Sequence, residues 1–277
     1  MDIATHSADG HRWITRLWSA PAAKHGLLWL PALGVPAIKY ARMAESLAAR
    51  NISVAVHEWR GNDSSSLRAS RRCDWGYREL LTHDLPATLA AAGRSAPGLQ
   101  WSLGGHSLGG QLAVLALALM PESAQGLVLL ATGVPDARSF SGARRWAIAG
   151  FARAIDPITH ALGYFPGDRL QWAGREAGRL MREWASTVRT GSYAGVGVGE
   201  DIESRIGRIV QPVLGMRLSE DWLAPQASLE ALLAKLGAGE RRRELFDAQR
   251  LGTRADHFRW MKSPDAVTQV IADWIGR

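Results

Sequence analysis

LQWSLGGHSLGGQLAVLALALM, residues Leu99–Met120, runs a short apolar segment, a glycine-flanked turn and a long apolar stretch together without a break. The spacing predicts a strand over Leu99–Leu103 and a helix over Leu108–Met120, joined by Gly105-His106-Ser107-Leu108-Gly109. That turn is a Gly-x-Ser-x-Gly pattern, which throws a serine hydroxyl beyond the C-terminal end of a strand. With 20 serines and 29 glycines the pattern arises by chance roughly 0.2 times in such a chain, so the flanking strand and helix carry its weight. The following helix N-terminus adds unpaired N–H groups and positive dipole character at the same place.

Outward from this turn the chain alternates. Upstream, Trp13–Trp18 and Leu27–Leu30 read as strands, Ile38–Ala49 as a helix, Ile52–Val56 as a β-branched strand and Tyr77–Ala92 as a helix. Downstream, Gly126–Thr132 is wholly apolar, as a parallel strand covered on both faces must be. Pro212–Leu218, Ser228–Leu236, Glu244–Arg250 and Asp265–Ile275 repeat strand, helix, strand, helix. The predicted class is α/β, a mostly parallel sheet with helices on both faces.

A connection of about 75 residues between the strands near Thr132 and Val213 is too long to be structureless. It predicts a core domain of residues 1–136 and 209–277 with a helical lid inserted at 137–208. Trp146, Ile148, Phe151, Ile155, Phe165, Trp172, Leu180, Met181 and Trp184 would give the lid helices an apolar face, most of it packed on the core. Gly195, Gly197 and Gly199 read as a loop rather than a phosphate cradle, since position 200 is Glu and no helix with dinucleotide spacing follows.

A serine hydroxyl is a poor nucleophile near neutral pH, so Ser107 calls for a histidine base and a carboxylate to orient it. Asp221 follows the strand ending at Leu218, and His257 lies beyond the last predicted strand. Each residue of the order Ser, Asp, His thus falls after a successive strand, at one edge of the sheet. Glu220 is an alternative acid beside Asp221. His106 should point away from the hydroxyl and serve structure. His6, His11, His25, His57, His83 and His160 lack metal-ligand spacing and read as ordinary residues.

Two further segments carry a resemblance. Leu28-Trp29-Leu30-Pro31-Ala32-Leu33-Gly34 is similar to the strand and oxyanion loop of the α/β-hydrolase superfamily, and Trp59-Arg60-Gly61-Asn62-Asp63-Ser64 to its Arg-Gly-x-Gly-x-Ser turn. Pro31-Ala32 stand where the family usually has His-Gly, and Asn62-Asp63 replace its second glycine region. With the serine turn, the sequence resembles capped serine esterases and lipases of that superfamily. The resemblance implies a cofactor-free hydrolase of a small acyl substrate, a carboxylic ester or else a thioester or amide. Ser107 would be the nucleophile, His257 the base and Asp221 the acid, with the N–H groups of Leu33 and Leu108 as oxyanion hole. Acyl transfer, C–C cleavage and lyase chemistry use the same scaffold, and a non-catalytic binding protein would ordinarily have lost a triad member.

Composition narrows the setting. One cysteine, Cys73, among 277 residues excludes an intramolecular disulfide and points to a reducing, cytoplasmic compartment. Met1–Trp18 lacks the apolar run of a secretory signal, and Leu112–Met120 is about half of the roughly 20 residues that span a bilayer. The net charge of +7 would suit an acidic partner, but 29 of the 33 basic residues are arginines spread along the chain. The densest run, Arg241-Arg242-Arg243, is bracketed by Glu240 and Glu244. That pattern reads as solvated surface and predicts no nucleic-acid partner and no integral membrane segment.

Overall fold

Alternation along the strands builds the molecule. The structure is a computed structural model that describes residues 1–170, 173–199 and 201–277. Its main strands are β1 (Asp2–His6), β2 (Arg12–Trp18), β3 (His25–Leu30), β4 (Ile52–Val56), β5 (Gln100–His106) and β6 (Leu127–Leu130). After a short hairpin of β7 (Tyr164–Pro166) and β8 (Arg175–Ala177) come β9 (Val213–Leu218) and β10 (Arg241–Phe246). Eight of them form one sheet in the order β1-β2-β4-β3-β5-β6-β9-β10. β2 is antiparallel to both neighbours, and every pairing from β4 to β10 is parallel. This is the α/β-hydrolase fold expected from the sequence.

Helices α1 (Ala41–Ala48), α2 (Leu85–Ser95), α3 (Leu108–Leu119), α4 (Gly142–Leu162), α5 (Gly178–Thr190), α6 (Gln226–Ala234) and α7 (Asp265–Ile275) complete the layers. Successive strand residues divide two cores between the faces of the sheet. Leu28, Leu30, Leu127 and Leu129 pack toward α2, α3 and α6, whereas Leu27, Trp29, Val128 and Leu130 pack toward α1 and α7. Residues Leu108 to Ala118 of α3 are all buried, because the helix has the sheet on one side and the turn Ile202–Ile206 on another.

Several boundaries differ from the sequence reading, each for a local reason. The last strand is Arg241–Phe246 rather than Glu244–Arg250, and Ala248–Leu251 is a helical turn. As an edge strand β10 pairs only with β9, so Arg243 can reach solvent and Glu230 from within a strand. β1 was not anticipated, since an edge strand with one buried residue in five has little apolar signal. The helix predicted from Tyr77 is broken by a π-helical turn, Leu80–Asp84. Pro86 follows it and has no N–H to continue the ladder. Trp146 was expected on a packed face but is 73% exposed on α4. Trp172 and Glu200 lie outside the described residues.

Candidate active site

The sheet reverses its winding at β3, which lies between β4 and β5. A crevice opens beyond the C-terminal ends of β3 and β5, the usual position of sites in open α/β sheets. Ser107 stands there at the β5–α3 junction with φ 55° and ψ −121°, a conformation costly for any residue with a side chain. The turn is held by its surroundings. The Ser107 N–H donates to the Leu130 carbonyl at 3.1 Å, and its own carbonyl accepts from Thr132 Oγ1 at 2.6 Å and Gly110 N–H at 3.0 Å. A Cβ at Gly105 would lie 2.3 Å from the Gly109 carbonyl carbon, and one at Gly109 2.0 Å from the Leu30 oxygen. Both glycines are therefore demanded by close backbone approach.

Asp221 follows β9 and His257 follows the Ala248–Leu251 turn. His257 Nδ1–H donates to Asp221 Oδ2 at 2.7 Å, and the Asp221 side chain is wholly buried. Asp221 Oδ1 accepts from Leu223 N–H at 2.9 Å and Ala224 N–H at 3.2 Å, which fixes the carboxylate from its other oxygen. Glu220 faces outward instead, accepting from Arg254 Nε and Ala255 N–H. The adjacent acids are thereby separated.

Ser107, His257, Leu33 and Leu108 all line one cavity of about 460 Å³. Ile148 and Phe151 of α4, Trp184 of α5, Phe140, Trp222 and Phe258 supply most of its apolar wall. Among the described lining residues His257 is the only ionisable one. The sequence reading missed Gln111, which lies on the same α3 face one turn after Ser107 and lines the cavity. Its signal was present: it is the sole polar residue in Leu108–Met120.

His11 and His57 are built into the core. His11 Nδ1–H donates to Asp84 Oδ1 at 3.2 Å while its Nε2 lies 3.0 Å from Ser65 Oγ. Arg60 donates from Nε and Nη2 to the two oxygens of Asp84, each at 2.7 Å, and also from Nη2 to Asp9 Oδ2 at 2.7 Å. Although burial opposes ionisation, the Arg60 guanidinium and His11 hold the Asp84 carboxyl below the usual range. His57 is fully buried against Thr88 Oγ1, and burial pushes its pKa down to about 3. His106 is fully buried and lies 2.9 Å from the Tyr40 hydroxyl through Nδ1. Burial keeps it neutral, and its ring lies tilted at 42° to that of His257 with 4.7 Å between centroids.

Residues 27–250 match the family described as serine aminopeptidase, S33. The chain belongs to that family of hydrolases. A comparison with curated sequences finds no significant match to this S33-family chain. Among solved structures it is similar to a monoacylglycerol lipase of Paleococcus ferrophilus at 16% identity and TM-score 0.63, covering 94% of this chain and 97% of that one. It is similar to a thermophilic esterase from Thermogutta terrifontis at 15% and 0.61, covering 100% and 97%. Est1E from Butyrivibrio proteoclasticus, solved with ferulic acid bound, gives 15% and 0.64 over 98% and 96%. At these identities the likeness bears on the fold. No helix among the described residues of the S33-family chain is long and apolar enough to cross a membrane.

Proposed function

We propose that this chain is a serine hydrolase of carboxylic esters that works through an acyl-enzyme. The observation that carries the reading is one apolar cavity shared by a serine on a positive-φ turn and a histidine hydrogen-bonded to a buried carboxylate. His257, with Nδ1–H committed to Asp221, has Nε2 free to take the Ser107 proton as Oγ attacks the ester carbonyl. The oxyanion forms against the N–H groups of Leu33 and Leu108, each worth roughly 3 kcal/mol in the transition state. Protonated His257 then delivers its proton to the alcohol leaving group, and water, deprotonated by the same ring, releases the acid.

The wall chemistry selects the substrate. An acyl group entering a cavity whose only ionisable lining residue, among those described, is His257 must be neutral and largely apolar. Recognition of a free α-amino group would call for a carboxylate facing the scissile bond, and none lines this cavity among the described residues. Ester cleavage is accordingly favoured over the aminopeptidase activity in the family's description. Residues 137–208 act as the cap, with α4 and α5 forming the roof. The reading takes no nucleic-acid partner, and in support of it Arg138, Arg189, Arg205, Arg243, Arg254 and Arg277 each face a nearby carboxylate.

The test is labelling with a fluorophosphonate probe and turnover of a p-nitrophenyl ester series from acetate to dodecanoate, with wild type and Ser107→Ala. The wild type is expected to label and to turn over the medium-chain members, and the variant to do neither. Equal labelling of both proteins, or no turnover of any ester, would overturn the reading.

A further inference from the structure

Tyr40 has a fully buried side chain at the start of α1, on the opposite face of the sheet from α3 and the cap. Its hydroxyl nevertheless joins two segments of the site. Tyr40 Oη accepts from the Ala32 N–H at 2.9 Å and lies 2.9 Å from His106 Nδ1. Ala32 immediately precedes Leu33 in the oxyanion loop, and His106 immediately precedes Ser107. Burial holds the proton on the Tyr40 hydroxyl and keeps His106 neutral, so the consistent arrangement has Tyr40 O–H donating to an unprotonated Nδ1. His106 then carries its hydrogen on Nε2, an atom sealed from solvent. The His257 main chain acts on that ring as an acceptor, favouring a proton there. The His106 ring is further wedged between His257 at 4.7 Å, Trp260 at 5.4 Å and Phe258 at 5.6 Å.

We propose that the Tyr40 hydroxyl is a positioning group that sets the oxyanion loop in register with the nucleophile turn through His106. The proposal rests on the reading of Ser107 as nucleophile and of Leu33 N–H as an oxyanion donor. The loop after β3 carries Pro31-Ala32 where related loops use other residues, so its direction depends on what grips it. Besides the Val35 N–H to Ala32 carbonyl bond at 3.1 Å, the peptide leading into Leu33 is gripped at both polar atoms, the Pro31 carbonyl by Trp59 Nε1–H at 2.8 Å and the Ala32 N–H by Tyr40 at 2.9 Å, and of these two side chains it is Tyr40 that also reaches the nucleophile turn. Because Tyr40 donates onward to the residue next to Ser107, the donor and the nucleophile are referenced to one shared atom. A shift of an ångström in such a donor is felt in the transition state far more than in substrate binding, since the ground-state carbonyl makes weaker use of it.

Tyr40→Phe removes the shared oxygen without changing ring volume. The expected result is a kcat lower by roughly 10- to 100-fold with KM within about twofold. Affinity for a trifluoromethyl ketone, which forms a tetrahedral adduct, should fall by the same factor as kcat/KM, while binding of a methylene ether that cannot form one should stay unchanged. A kcat within twofold of wild type, or equal weakening of ketone and ether, would overturn the proposal.

Should Tyr40→Phe not fold, His106 gives the same answer. His106→Asn presents an amide oxygen in place of Nδ1 and should restore kcat relative to His106→Leu, at matched thermal stability. Equal kcat in both would reject a hydrogen-bonded role. The two levels separate cleanly. If Ser107→Ala keeps its turnover, the reading of the nucleophile fails; if it is inactive while Tyr40→Phe is fully active, only the tether fails.

Discussion

Glu176 allows a prediction to be worked from its surroundings. It lies on β8, lines a small cavity with Leu33, Gly34, Arg60 and Leu108, and is 4% exposed. Its single hydrogen bond among those described comes from the Gly174 N–H to Oε1 at 2.9 Å. Burial, with Asp168 adding to it, pushes the pKa from an ordinary 4.5 up to about 7. The sign follows from linkage. Below pH 4.5 the carboxyl is neutral in both states and costs nothing. Between the two values the unfolded chain ionises while the folded one cannot, so stability falls as pH rises and levels off above about 7. A shift from 4.5 to about 7 corresponds to about 3 kcal/mol lost at the plateau. Glu176→Gln keeps the acceptor oxygen and cannot ionise. Thermal unfolding of both proteins from pH 4.5 to 8.5 should therefore give coincident midpoints at the acid end. The variant should gain an advantage of roughly 6–12 °C at the alkaline end, taking 2–4 °C per kcal/mol for a chain of this size. Parallel curves, or a wild type that is the more stable at pH 8.5, would refute the reasoning, because either result requires a carboxylate that is held charged.

Three further outcomes are expected. Asp221→Asn should lower kcat by about 10⁴-fold, through loss of the imidazole's orientation and charge partner, whereas Glu220→Gln should stay within about threefold in the same ester assay. Gly109→Ala should cost at least roughly 100-fold in kcat/KM or prevent folding, since its Cβ would meet the Leu30 oxygen at 2.0 Å and push the oxyanion loop aside; a soluble variant with wild-type kinetics would contradict this. Asp84→Asn should destabilise by about 3–5 kcal/mol in urea unfolding, by leaving the buried Arg60 short of a charge partner, with kcat at low temperature unchanged within about twofold.

Long apolar runs made the central strands and α3 legible, because they must be apolar all round to sit under two helical layers. Ser107 was legible because its geometry demands glycines that stand in the sequence, and Asp221 because it follows a strand that could be found. His257 was located beyond the last strand although that strand was placed three residues too late. The order of elements, and not their exact ends, carried the inference. β1 escaped, and β10 was placed too late, because edge strands need little burial. Tyr40 and Glu176 escaped for another reason. What sets them apart is their contacts with Ala32, His106 and Gly174, and no local periodicity marks a hydroxyl that touches two distant loops or a buried carboxyl met by a single backbone N–H among the described residues.

The chain contains a second Ser-His-Asp series, and comparing the two shows what separates a site from a brace. Ser65, His11 and Asp84 are joined by hydrogen bonds in the same order as the residue types of the proposed triad. Yet Ser65 Oγ already accepts the N–H groups of Gly61 and Leu67, each at 3.1 Å, so its lone pairs are engaged in holding the loop after β4. Asp84 is neutralised by two bonds from Arg60 and has little charge left to stabilise an imidazolium. None of the three lines the main cavity, and a carbonyl carbon has no approach to Ser65. The proposed triad differs on each count: Ser107 and His257 both line one apolar chamber, and among the described residues the Asp221 side chain pairs with His257 and backbone N–H groups rather than with an arginine. The same three side chains thus form a structural clamp where donors and an arginine saturate them. They can form a reactive centre only where the fold leaves the oxygen a free lone pair, the carboxylate an unshared charge, and the substrate a way in.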